Sequence, residues 1–374
     1  MAAASDTIQK ITRLTPLAEV LATVAADVKP VTPRTVDVAM AAGRTLAADA
    51  VAPSRPSAAT ALLDGWALSA DDTLGAGGYA PVLLMQTPQR VEAGQPMPVG
   101  TDSVAPLDAV KVSNDRAEAL VTVNPGDGVL PAGGDSDPGI PLRHAGERLR
   151  ITDLAAIACA GRARVTVREP RIRVVPLRGS GIIAAAARVV ASDIERAGGA
   201  ARLDDAGRDL AIVLVAESAD AIVAIGGTGN GRNDASVQTL AREGRLAVHG
   251  MALTPGETAA LGFVGPRPVL LLPGRLDAAL AVWLVVGRRM LERLAAAKAN
   301  EHEPAETLTL ARKVASTVGL TEVVPVRRNG DHAEPLASKY LPLSSLTRSD
   351  GWILVPADSE GYAAGAQVQV RPWP

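Results

Sequence analysis

Ile172-Arg173-Val174-Val175-Pro176-Leu177 opens the stretch whose pattern decides the fold. Two further short apolar runs follow it, Ala221–Ile225 and Val269–Leu272. Each is too short for a helix and carries no polar alternation, so each reads as a strand buried on both faces. Helical segments separate and follow them: Ile183–Ala197, Ala211–Ala216, Ala235–Arg242 and a long Ala278–Leu294. Strand–helix alternation of this kind predicts a doubly wound sheet of parallel strands with helices on both faces.

Outward from this centre the pattern changes. Toward the N-terminus, Thr15–Val28 reads as a helix with Pro16 early and Leu17, Val20, Leu21 and Val24 on one stripe. Prolines at 30, 33, 53 and 56 mark an extended segment. Short strands such as Val82–Met85 and Leu120–Val123, separated by Gly/Pro turns, suggest an inserted β-rich domain. A helix at Thr152–Ala160 and a strand at Arg164–Arg168 lead into the central region. Beyond a charged linker around Asn300–Glu306, runs at Thr307–Leu310, Val323–Arg327 and Trp352–Pro356 predict a C-terminal β-barrel.

Composition narrows the function classes. A chain of 374 residues, 47% of them hydrophobic, is large enough for several packed domains. A net charge of -2 offers no field for wrapping nucleic acid. The lone Cys159 excludes an internal disulfide framework, and His144, His249, His302 and His332 lack short metal-ligand spacing. No stretch reaches the roughly 18 apolar residues of a membrane span, and the N-terminal stretch has no apolar h-region. The expectation is a soluble cytoplasmic protein. No lysine lies between Lys111 and Lys298, so an anion held centrally must be gripped by arginine or by backbone amides.

Three loops follow the central strands: Arg178-Gly179-Ser180-Gly181, Gly226-Gly227-Thr228-Gly229-Asn230-Gly231-Arg232-Asn233-Asp234, and Pro273-Gly274-Arg275-Leu276-Asp277. Ligands of open α/β sheets collect at the carboxyl ends of the strands. Each loop pairs glycine, which permits close backbone approach, with one arginine. The candidate anion-binding residues are Arg178, Ser180, Gly226, Gly227, Gly229, Arg232, Pro273, Gly274 and Arg275. The second loop also precedes a helix whose N-terminal amides favour an anion. Equally open is a turn in which Asn233 or Asp234 caps that helix. Neither GxGxxG nor GK[ST] is present.

Several segments, in order, resemble the molybdopterin molybdenumtransferase family (MoeA, gephyrin E-domain). Leu63-Asp64-Gly65-Trp66-Ala67-Leu68 is similar to its DGYA motif, and Gly226–Asp234 to GGVSxGxxD. Met251–Gly256 is similar to the A-x-K-P-G region, and Leu272-Pro273-Gly274 to LPGNP. The tail Leu341–Leu346, with Ser359-Glu360-Gly361 and Gly365, resembles the last domain. The resemblance implies an α/β multidomain, MoeA-like fold. Residues 1–48 and 136–168 would form an extended linker domain and 49–135 a β-rich domain. Residues 169–300 would form the molybdopterin-binding α/β domain and 301–374 the barrel.

Implied too are a homodimer, adenylylated molybdopterin and molybdate as substrates, and Mg²⁺. Asp64, Asp135 and Asp234 fall on the family's aspartates as candidate catalytic residues, with Asp64 and Asp234 as candidate Mg²⁺ ligands. The chain departs from the family elsewhere. The RIxTGA segment is missing between Val91 and Pro106, and the TGDEL acidic pair gives way to Arg178-Gly179-Ser180-Gly181. Two family lysines fall on Gly250 and Thr254, and LPGNP ends as Arg275-Leu276. The resemblance leaves open a molybdenumtransferase, or a degenerate member that binds molybdopterin or a partner protein. More remotely, it leaves another α/β enzyme acting on a phosphorylated metabolite.

Overall fold

A computed structural model describes residues 9–113, 116–216, 219–298 and 305–374. The chain divides into two compact units. The first holds residues up to Ala48, 145–151 and Val165–Pro374; the second holds Asp49–His144 and Thr152–Arg164. The core of the linker expected at 300–306 lies outside the described residues.

In the first unit, Arg171–Pro176 (β1), Ala200–Leu203 (β2), Ala221–Ile225 (β3), Arg245–His249 (β4), Ala260–Val264 (β5) and Arg267–Leu272 (β6) form one sheet. Its order is β2-β1-β3-β6-β5-β4. The first four positions are parallel, whereas β5 and β4 are antiparallel additions at the far edge. The expectation of parallel strands therefore holds for β1, β3 and β6 and misses this antiparallel edge. Ala260–Val264 and Arg267–Leu272 are joined by a tight turn, so no crossover helix announces the second strand.

Both faces of the sheet are covered. Val174, Val223, Ile225, Leu270 and Leu272 pack on one side against Leu17–Asp27, Gly181–Arg196 (α1) and the segment Leu276–Ala295. Val175, Ile222, Ala224, Val269 and Leu271 face the other way, against Leu210–Val215 (α2) and Ser236–Glu243 (α3). Consecutive side chains of β3 thus serve opposite cores, which is why the run is apolar throughout.

The long helix expected at Ala278–Leu294 is instead interrupted. Leu276–Val282 (α4) and Arg288–Ala295 (α5) flank a π-helical turn at Trp283–Gly287. Trp283 is fully buried, and its indole Nε1 donates to Asp193 Oδ2 at 2.7 Å. A Cβ on Gly287 would stand 2.1 Å from the Trp283 ring, so only glycine admits the indole here. Asp193 also accepts from Arg288 Nε (2.8 Å), Arg288 Nη2 (2.9 Å) and Arg196 Nη2 (3.2 Å). One carboxylate on α1 thereby fastens the widened turn.

Five strands of the C-terminal region close on themselves. Glu306–Leu310 (β7), Thr321–Asn329 (β8), His332–Pro335 (β9), Gly351–Val355 (β10) and Gln367–Pro372 (β11) pair in the ring β8-β9-β7-β11-β10 and back to β8. This is the expected barrel, with Leu308, Val324, Val326, Ile353 and Val368 in its interior. In the second unit Gly65–Leu68 lies between Gln89–Val91 and Ser103–Pro106. A further sheet orders Val82–Leu83, Arg116–Ala119 and Val110–Ser113. The strand expected at Leu120–Val123 ends at Ala119; Val123 is buried, but its N–H donates to Thr73 Oγ1 rather than to a strand. Among the described residues no helix is long and apolar enough to cross a membrane.

Burial pushes the Asp193 carboxyl up. Arg288, then the Trp283 N–H and Arg196, outweigh this and hold it below the ordinary carboxylate range. A depressed folded-state pKa contributes stability that is present above the unfolded value and lost as pH falls through the folded one. Asp193→Asn is expected to cost about 3 kcal/mol at pH 7, since it removes the charge of a buried carboxylate on which Arg288, Trp283 and Arg196 converge, and to flatten the acid limb. Urea unfolding at stepped pH checks this; a variant with the acid sensitivity of the parent chain would refute the assignment.

Candidate functional site

Because β1, β3 and β6 are parallel and adjacent, the chain leaves all three at the same edge. The ladder continues past the strand ends: Leu177 N donates to Ile225 O (3.0 Å) and Gly226 N to Leu272 O (2.8 Å). Gly226 and Gly227 adopt φ of 103° and 73°, which turn the chain away from the sheet. A Cβ on Gly274 would sit 3.6 Å from Gly226 Cα, so the second and third loops touch through backbone. The first loop joins them by a side chain. Arg178 Nη2 donates to Asn233 O (2.7 Å) and Asp234 Oδ1 (2.5 Å). The three Gly/Arg loops are thus neighbours.

Their side chains are committed differently from the expectation that all three arginines face an anion. Arg178 is ion-paired with Asp234. Arg275 forks onto Asp277, with Nε to Oδ1 at 3.1 Å and Nη2 to Oδ2 at 2.5 Å. Hydrogen bonding to Asp277 raises the Arg275 pKa against the opposing effect of burial. Arg232 is exposed, and among the described residues no carboxylate pairs with it. Ser180 accepts from Ile183 N (3.2 Å), capping α1. Pro273 bridges β6 to the Gly274 turn, and Gly229 lies within the second loop.

The N-terminus of α3 also differs. Neither Asn233 nor Asp234 caps it; Ala235 occupies the N-cap without a side-chain hydrogen bond. Gln9, only 4% exposed, does the work instead. Its Oε1 accepts from Val237 N (2.8 Å) and Gln238 N (3.2 Å). Its Nε2 donates to Gly227 O (3.0 Å) and Gly229 O (2.9 Å). One amide side chain therefore occupies two helix amides expected to meet an anion and ties them to the glycine loop. A glutamine more than 200 residues away carries no local sequence signal of this role. Thr228 and Thr258 share a 2.9 Å hydroxyl hydrogen bond beneath the loop.

The aspartates divide between the units: Asp234 is in the first, Asp64 and Asp135 in the second. Asp64 is exposed and its Oδ1 accepts from Ala93 N at 2.8 Å, a turn-stabilising contact. Asp135 is exposed and lines a small cavity with Arg55, Ser136 and Cys159. Asp234 receives Arg178 and, on Oδ2, Gly231 N (3.2 Å). Mg²⁺ needs carboxylate oxygens open to it and water around it. With a guanidinium on Asp234, the residues at this edge do not fit that ion. Among the described residues no three His, Cys, Asp or Glu side chains form a metal-holding group.

An α/β domain with glycine loops at the carboxyl edge of its parallel strands, joined to a closed barrel, defines the class: a multidomain α/β protein. Residues 15–161 match the family model described as the MoeA N-terminal region (domains I and II). Residues 185–293 match a probable molybdopterin binding domain, and residues 307–373 the MoeA C-terminal region (domain IV). The chain belongs to the MoeA family of molybdopterin-biosynthesis proteins. It is 26% identical to a putative molybdopterin biosynthesis protein of Methanocaldococcus jannaschii, over 90% of this chain and 91% of that one. It is 28% identical to molybdopterin molybdenumtransferase 2 of Mycobacterium tuberculosis, over 90% and 94%. The fold matches the MoeA protein of Pyrococcus horikosii with a TM-score of 0.79 at 23% identity, covering 97% of this chain and all of that one.

Gln9→Ala removes four hydrogen bonds from backbone groups, one of them buried and three part-buried. The expected loss is about 1–3 kcal/mol, with faster amide exchange concentrated at Val237 and Gln238. Unchanged exchange at those two amides would show that the clamp does not hold the loop.

Proposed function

We propose that this chain acts in molybdenum cofactor biosynthesis as a MoeA-like molybdenumtransferase. It would bind adenylylated molybdopterin at the carboxyl edge of the α/β sheet and receive molybdenum from molybdate. The observation that carries this reading is the meeting of three glycine-bearing loops at one edge of the domain matched as molybdopterin-binding. Glycines at 226 and 227 bring backbone close to a phosphate. Arg232, exposed and without an ion-pair partner among the described residues, is the group suited to grip phosphate or molybdate oxygens bidentately. Family membership favours a homodimer, which light scattering at micromolar concentration tests; a monomer would overturn it.

A second reading, binding of molybdopterin without turnover, is favoured by one specific contact. Arg178 stands where the family has an acidic pair, and it neutralises Asp234. The two readings separate when the purified protein is mixed with adenylylated molybdopterin and then molybdate. AMP release supports insertion, binding without AMP release supports the second reading, and absence of binding removes both. Arg232→Ala is expected to weaken binding about tenfold, as the loss of one charge-assisted contact implies. Asp234→Ala should change it little. The opposite ranking, measured by calorimetry, would overturn the assignment of Arg232.

A further inference from the structure

Two buried carboxylates of the first unit hold one exposed loop. Glu322, fully buried on β8, accepts from Ser338 Oγ (2.6 Å), Lys339 N (2.8 Å) and Ser316 Oγ (2.7 Å). Asp277, 3% exposed at the start of α4, accepts from Leu341 N (3.2 Å). The loop between these anchors is forced into an uncommon shape, with Lys339 at φ 63°. Burying a carboxylate is unfavourable unless its hydrogen bonds are made. Here they are made to Ser338, Lys339 and Leu341, and Ser338, Lys339 and Tyr340 themselves remain exposed.

What the loop presents is an aromatic ring at the α/β edge. The Arg275 guanidinium lies 5.0 Å from the centroid of the Tyr340 ring. Arg275 is fixed by both oxygens of Asp277, the carboxylate that also anchors the loop. Tyr340 nevertheless stays 59% exposed, and among the described residues its hydroxyl has no hydrogen-bond partner. Arg275 directly follows Gly274, which touches Gly226 of the glycine loop. A rigid, exposed ring backed by a cation, beside a phosphate-suited loop, matches a ligand with a flat ring at one end and phosphate at the other.

We infer that Tyr340, backed by Arg275, is a stacking platform for the planar fused nitrogen heterocycle of a phosphorylated ligand. The inference rests on the reading of this edge as the molybdopterin-handling site. It assigns Arg275 to orienting the platform, and leaves Arg232 as the guanidinium that meets the anion. Both the pterin and the adenine of adenylylated molybdopterin carry the required chemistry.

Calorimetry on the full chain tests this with adenylylated molybdopterin, AMP, and ribose 5-phosphate as a ligand without a ring system. Tyr340→Ala should weaken adenylylated molybdopterin about tenfold and leave ribose 5-phosphate within twofold. Tyr340→Phe, which keeps the ring, should stay within twofold of the parent chain for all three. Arg275→Lys keeps the charge but loses the planar fork, and should weaken the ring-bearing ligand more than ribose 5-phosphate. A parallel loss for AMP identifies adenine as the stacked ring; a loss confined to adenylylated molybdopterin identifies the pterin. Unchanged affinity in Tyr340→Ala, or an equal loss in Tyr340→Phe, overturns the platform while leaving the molybdopterin reading intact. Failure of the parent chain to bind adenylylated molybdopterin removes both.

Discussion

Everything at the candidate site depends on the parallel, in-register pairing of β1, β3 and β6. Antiparallel neighbours would send successive loops to opposite edges; parallel ones deliver every loop to the same edge. The two backbone hydrogen bonds beyond the strand ends, Leu177 to Ile225 and Gly226 to Leu272, extend that order into the loops themselves. The glycine turn, the Arg178 contact and the Gly274 approach are all built on those few residues. Two separate hydrophobic faces secure the sheet beneath them.

Side chains then decide what the edge can do. Each arginine there has a different task. Arg178 closes one loop onto another through Asp234, Arg275 is stacked and forked, and Arg232 stands outward. Gln9 takes the helix amides that a phosphate would otherwise have met. Cationic capacity therefore lies in the loop rather than at the helix terminus. Asp277 links the levels, holding Arg275 on one side and the Leu341 backbone of the barrel loop on the other.

The parts legible in the sequence are those whose signal is local. Ile172–Leu177, apolar but for Arg173, and the continuous apolar runs Ala221–Ile225 and Val269–Leu272 are the three central strands. The loops after them carry glycine and arginine in plain view. Arg245–His249 was hidden because its alternation is imperfect, with a register shift between Leu246 and Val248. Ala260–Val264 was hidden because it merges through Gly265 into the next strand. The π-turn left no trace, since Trp283–Gly287 continues the apolar run of Ala278–Val282 without a break. Gln9 and Tyr340 were illegible for another reason: their meaning lies in partners more than 60 residues distant.

The Arg178–Asp234 pair has a consequence for how this protein meets its surroundings. A divalent ion is a soluble component, and a site built on one responds to its supply and to every competing chelator. A guanidinium is part of the polypeptide and keeps its charge across the whole physiological pH range. The cation that meets Asp234 is thus inherited with the chain at a ratio of one to one.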